Sequence, residues 1–138
     1  MITQPRALTQ TIVPRLLIGV VLFFNLQCAF LFLLQPENFA SSFELSGIPG
    51  ETAIQGFGIL FLMWNIPYFA ALLNPQKYRV ALVCAVLMQF IGLTGESLLL
   101  INLPQGYNLL HQSIERFVWF DAAGLIFLLT ALWQSKKP

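Results

Sequence analysis

Two carboxylic acids, Glu96 and Asp121, stand inside long apolar stretches of this sequence. An ionisable side chain at the centre of a membrane helix costs at least about 2.5–3.5 kcal/mol on insertion scales, so it normally faces a partner or water. Gln89, Gly92 and Glu96 are spaced i, i+3, i+7 and share one helix face, and Glu51, Gln55 and Gly58 repeat i, i+4, i+7. Asn25 and Gln27 interrupt the first apolar stretch, while His111 and Glu115 stand i, i+4 beside Arg116. Two neighbouring carboxyls in a low-dielectric medium cannot both ionise cheaply, which suits general acid–base work or proton shuttling. The pattern therefore predicts a polar pocket lined by Gln27, Gln55, Glu96 and Asp121, with His111, Glu115 and Arg116 at its mouth. Arg116 is expected to hold Glu96, Asp121 or Glu115. The competing reading is structural: the acids fasten helices together, and Glu115 and Arg116 are ordinary interface residues. Glu96, Asp121 and His111 could together ligate a metal but show no metal-ligand spacing, a single histidine cannot ligate a haem from both sides, and the residues name no cofactor. Cys28 and Cys84 form no C-x-x-C pair and read as small buried apolar residues.

Elements long enough to cross a bilayer must position these groups. Hydrophobic residues make up 57% of the chain and charged residues 9%, against about 25% charged in a soluble domain. The net charge of +1 gives no footprint for nucleic acid. A span needs about 20 apolar residues, and four segments qualify, at about 14–35, 52–73, 80–102 and 114–133. They predict an all-α, integral membrane four-helix bundle of up-down-up-down topology, a single domain over 1–138 with an outer loop at 36–51. Arg6, Arg15, Lys77, Arg79, Lys136 and Lys137 all fall on one side, leaving Arg116 opposite. The positive-inside rule makes that side cytoplasmic, with both termini there, in a cytoplasmic (inner) membrane. The run Leu16–Leu34 exceeds a typical signal-peptide core and is read as a retained first span. Tyr78 and Trp133 fit an inner aromatic belt, Tyr107 an outer one.

At a rise of 1.5 Å per residue, Glu96 lies about 9 Å and Asp121 about 10 Å below the outer ends of their spans, and Gln27 and Asn25 about 12 and 15 Å below theirs. All four spans thus bring polar groups to the outer half. In the inner half, Pro67 removes an N–H and frees the Met63 carbonyl, which predicts a kink, and Asn65 is placed to bond a freed carbonyl or a neighbouring helix. Phe39, Phe43, Leu45 and Ile48 predict that the outer loop lies on the membrane face or caps the bundle. Pro104-Gln105-Gly106 is a turn signature. The thirteen Phe residues suit a lipid-facing or pigment-facing surface, and Phe is also common in any bilayer span.

The layout resembles the small four-helix membrane proteins of the DoxX-like group. The resemblance runs through Leu34-Gln35-Pro36-Glu37, the glycine-rich Gly50-Glu51-Thr52-Ala53-Ile54-Gln55-Gly56-Phe57-Gly58, Ile91-Gly92-Leu93-Thr94-Gly95-Glu96-Ser97, and the acid that ends Glu115-Arg116-Phe117-Val118-Trp119-Phe120-Asp121. Glu96 departs from relatives that often carry arginine there. The resemblance implies a group largely without assigned function, some of whose members are membrane subunits accompanying quinone-linked oxidoreductases. Similar four-helix bundles elsewhere bind sterol-like ligands between acidic side chains.

Three functions fit these residues. The first is a non-catalytic accessory subunit of a larger membrane complex, or one that binds a lipophilic small molecule. The second is a small membrane enzyme using Glu96 and Asp121 as acid and base. The third is a proton-coupled transporter, which in a four-span chain requires an oligomer. Small multidrug transporters use a first-span glutamate and membrane thiol oxidoreductases paired cysteines, and this chain has neither.

Overall fold

The computed structural model describes residues 5–135, with side chains from Ile12 onward. Four long helices dominate it: α1 (Pro5–Leu34), α3 (Gly47–Leu73), α4 (Arg79–Asn102) and α5 (Asn108–Gln134). The short α2 (Pro36–Ala40) and a single 3-10 turn (Ser41–Phe43) fill the connection between α1 and α3. Each long helix is apolar over a stretch sufficient to cross a membrane. The chain is a small multi-pass membrane protein whose four spans pack as an up-down bundle. Each span also turns large side chains outward, among them Phe23, Ile66, Val80 and Ile126, as contact with lipid requires.

The polar first turns put the helix starts earlier than apolar content alone suggests, at Gly47 rather than near Thr52 and at Asn108 rather than near Ile114. Ser46 enters α3 from extended backbone, and Gly47 takes φ +64°, a left-handed conformation that favours glycine. Gly106 at φ +104° closes the predicted turn between α4 and α5. Between α3 and α4, Asn74 Oδ1 accepts from the backbone N–H groups of Gln76 (3.2 Å) and Lys77 (2.9 Å), locking a tight turn.

Arg15, Lys77 and Arg79 lie at the end of the bundle that holds this turn, hereafter the basic end. Two of them cap helices. Arg15 donates through Nε to the Leu72 carbonyl (3.0 Å) and through its terminal nitrogen to Leu73, and Arg79 donates to Leu132 (3.3 Å). Cations at helix C-termini satisfy orphan carbonyls and oppose the negative end of the helix dipole. The side chains of Arg6, Lys136 and Lys137, which also entered the orientation argument, lie outside the described residues. Tyr78 and Trp133 are exposed at the basic end and Tyr107 at the opposite, loop end.

In lipid no hydrophobic force draws helices together, so close packing and hydrogen bonds must do so. The bundle is built from two close pairs, α1 with α3 and α4 with α5, closed into a ring by looser α1–α5 and α3–α4 seams. Gly58 sets the first pair: a Cβ there would sit 2.9 Å from the Ala29 carbonyl and 2.8 Å from the Leu33 side chain. The basic half is a dry core of Ile18, Val21, Tyr68, Leu82, Ala85 and Leu128. Three expectations need correction here. Cys84 faces outward rather than into the core, although Cys28 is half-buried. Asn65 donates to the Phe61 carbonyl (2.6 Å), one full turn back on its own helix, and not to Met63. Phe32, Phe61 and Phe117 face one another inside the bundle instead of lipid, and Phe39 and Phe43 of the loop pack against them.

The loop between α1 and α3 caps the bundle. Phe39 and Phe43 pack inward while Leu45 and Ile48 stay exposed. Glu44, at φ +56°, turns its carboxylate onto the start of α5 and accepts from the N–H groups of Leu109 (3.2 Å) and Leu110 (3.5 Å). Ser113 Oγ donates to the Ser42 carbonyl (2.7 Å), pinning the loop a second time.

Candidate functional site

The loop half of the bundle contains a cavity of about 350 Å³. Its body is aromatic, with Phe32, Phe43, Phe61 and Phe117 among its walls, and its polar groups are Asn25 on α1, Gln89 and Glu96 on α4, and Asp121 on α5. Phe57, Leu60 and Leu99, which line it between α3 and α4, are themselves 40–61% exposed on the bundle exterior. The cavity therefore opens sideways through the loose α3–α4 seam, toward the position of the lipid chains. A second cavity of about 260 Å³ lies toward α1 and α5, lined by Gln27, Cys28, Phe120 and Arg116. Asn25, Phe32, Phe43, Phe61 and Phe117 border both chambers. The Phe61 and Phe117 rings stack with centroids 6.1 Å apart, and Phe32 meets both nearly edge-on. These rings form the partition between the chambers.

The polar floor of the larger chamber is a hydrogen-bonded chain crossing three helices. Trp64 Nε1 donates to the Tyr68 hydroxyl (3.3 Å), that hydroxyl donates to Gln89 Oε1 (2.6 Å), and Gln89 Nε2 donates to Asp121 Oδ1 (2.7 Å). Glu96, one turn beyond Gly92 on α4, lines the same chamber as Asp121.

Local sequence makes this approach possible by reciprocal notches. Gln89 and Gly92 are i, i+3 on α4; Asp121 and Gly124 are i, i+3 on the antiparallel α5. The Gln89 amide lies against Gly124, where a Cβ would sit 2.7 Å from Nε2, and the Asp121 carboxylate lies against Gly92 with no room for a Cβ. Two polar atoms in this region lack partners. Asn25 is 3% exposed, and its Nδ2 makes no hydrogen bond. Glu96 Oε2 is likewise buried without a donor. An unpaired buried donor carries a desolvation cost of about 1–3 kcal/mol.

The structure brings together only part of the residue set expected from sequence. Glu96 and Asp121 both line the larger chamber. Gln27 and Arg116 line the smaller one, beyond the phenylalanine partition. Gln55 is exposed, lines neither chamber, and reaches the Leu33 carbonyl at 3.5 Å. His111 and Glu115 do pair, at 3.9 Å, but both are half-exposed on the outer surface of α5, away from both chambers. Arg116 donates to Ser113 Oγ (3.2 Å) and contacts none of the carboxylates proposed for it. Among the described residues no three His, Cys, Asp or Glu side chains gather as a metal-binding set.

Sequence reasoning missed Gly124, Tyr68, the phenylalanine partition and the capping role of Glu44. The i, i+3 repetition of Gln89/Gly92 in Asp121/Gly124 is a signal that could have found Gly124. Phe57 and Phe61, at i, i+4 facing the loop phenylalanines, hint at the partition. No family model matches the chain, and neither a curated protein nor a solved structure is significantly similar to it.

Proposed function

We propose that this four-span protein binds one lipophilic molecule, drawn from the bilayer through the α3–α4 seam, with its apolar body among the phenylalanines and its polar end on the floor. The observation that carries this reading is an aromatic cavity of about 350 Å³ that has Asn25, Gln89, Glu96 and Asp121 as its few polar lining residues. Ligand sites are typically concave, mostly apolar, and oriented by a few polar groups. The basic end is placed in the cytoplasm, supported by Arg15, Lys77 and Arg79, so the cavity lies in the outer half of the membrane. In this role the protein serves as a binding or accessory subunit, in keeping with its resemblance to DoxX-like proteins.

The test is extraction in native lipid followed by mass spectrometry of what is retained. One lipid species at a fixed ratio to protein is expected, and it should be lost in Leu99→Trp, which fills the opening from an exposed position. Retention unchanged by Leu99→Trp, or a retained lipid mixture matching the bulk membrane, would overturn the proposal. The presence of Glu96 and Asp121 in one cavity favours a second reading, acid–base chemistry on the bound molecule. Its mark is a Glu96→Gln variant that retains the ligand and no longer converts it.

A further inference from the structure

We infer that the smaller chamber is a second lipid site, which seats one phospholipid with its phosphate on Arg116 and an acyl chain among Phe24, Leu31, Phe39 and Phe120. The site stands apart from the larger chamber and does not rest on that chamber's occupant. Arg116 lines two hollows at once. One is the apolar chamber of about 260 Å³; the other is a surface groove of about 420 Å³ that it shares with Ser42, Gln112, Ser113, Glu115 and Trp119. No other side chain lines both. A molecule with a charged head and a hydrocarbon chain has the same two-part form. Phe24 and Gln27, which line the chamber, are exposed on the bundle exterior. The chain therefore has a way in through the loose α1–α5 seam.

Charge sets the head. Arginine has five N–H donors, and Arg116 spends one on Ser113 Oγ, whose own proton goes to the Ser42 carbonyl. No carboxylate among the described residues pairs with it. Two acids of the same region are held elsewhere, Glu44 by the amides of Leu109 and Leu110, and Glu115 by His111 at 3.9 Å. A guanidinium with its fork free takes a phosphate through paired hydrogen bonds. Height agrees with this. Trp119, one turn beyond Arg116 on the same face of α5, is 70% exposed, and tryptophan gathers where the bilayer meets water. Arg116 lies on the loop side of that ring, at the level of lipid phosphates. A fatty acid would end at the guanidinium and leave the groove empty, whereas a phospholipid head continues into it. Glu115, half-exposed in that groove, suits an ammonium beyond the phosphate. The smaller chamber itself has no acid to repel the head, in contrast to Glu96 and Asp121 in the larger one.

The experiment uses the wild-type chain in non-ionic detergent with three probes that share one diazirine-bearing acyl chain: a lysophosphatidylethanolamine, the monoacylglycerol and the free fatty acid. The phospholipid probe should label saturably at peptides containing Phe24, Cys28 and Leu31. Unlabelled phosphatidylethanolamine should compete, and inorganic phosphate at the same concentration should not. The other two probes each lack at least one charge of the head and should bind about tenfold more weakly, the size expected for one charge-assisted hydrogen bond. Arg116→Gln should bring the phospholipid probe down to the level of the monoacylglycerol, and Leu99→Trp should leave it unchanged. Equal labelling by the monoacylglycerol would remove Arg116 as the anchor and overturn the proposal. Equal labelling by the fatty acid would overturn the phospholipid as occupant, and competition by inorganic phosphate would overturn the role of the chain. Labelling that never saturates, or that falls on peptides around Phe57, Leu60 and Leu99, would overturn the smaller chamber as a lipid site and leave the reading of the larger one standing.

Discussion

The two halves of this bundle solve the same packing problem differently. At the basic end, Ile18, Tyr68, Leu82 and Leu128 are fully buried, and arginines close two of the helix ends. At the loop end the same helices enclose two chambers separated by rings that touch mainly one another. Tyr68 marks the boundary. Its ring belongs to the dry core and its hydroxyl begins the polar floor. The difference shows where a small membrane protein holds its stability and where it leaves room: the tight half fixes the helices so that the loose half keeps a shape without being filled.

Substitutions can break or sharpen that contrast. The largest effect is expected for Tyr68→Ala, which empties the core and leaves Trp64 Nε1 and Gln89 Oε1 unpaired; it should cost about 3–5 kcal/mol in a detergent-titration unfolding experiment. Phe117→Ala removes a ring of similar size from the partition. Because that ring borders both chambers, fewer contacts are lost, and about 2 kcal/mol is expected in the same titration. Equal costs for the two would mean that the halves are packed alike. Gly92→Ala pushes the Asp121 carboxylate out of its notch and should cost about 1–2 kcal/mol. In a double-mutant cycle with Gln89→Leu, the two effects should be non-additive by at least about 0.5 kcal/mol, and strict additivity would separate the notch from the hydrogen-bonded chain. The smallest is Glu44→Ala, up to about 1 kcal/mol, seen as faster hydrogen exchange at the amides of Leu109 and Leu110 with the basic half unchanged.

Hydropathy made the four spans and their up-down order readable, because each depends on residue type and position along the chain. Rotation about each helix axis was not readable. In a soluble bundle the apolar stripe marks the buried face; here lipid and neighbouring helices are equally apolar, so no stripe does. Gln55 therefore lies exposed and Gln27 beyond the phenylalanine partition, and phenylalanines expected to face lipid turned inward. Glu96 and Asp121 were placed together because ionisable groups have few tolerable orientations in a membrane. Arg116 was misjudged for a related reason. Near the membrane surface a cation can be satisfied by a hydroxyl and water, and it found Ser113 rather than an acid.

The grip of Glu44 and Ser42 on α5 has a consequence for how the protein is made. Synthesis delivers α1 and α3 first, and Gly58 lets that hairpin close on itself. Its loop then carries a carboxylate and a carbonyl whose receivers, the amides of Leu109 and Leu110 and the hydroxyl of Ser113, have not yet been translated. The second hairpin is tethered to the first only by the turn at Asn74, so it arrives like the second cover of a book already joined at the spine. The clasp can shut only when both covers are in the membrane, so the chamber between them cannot close before α5 is in place.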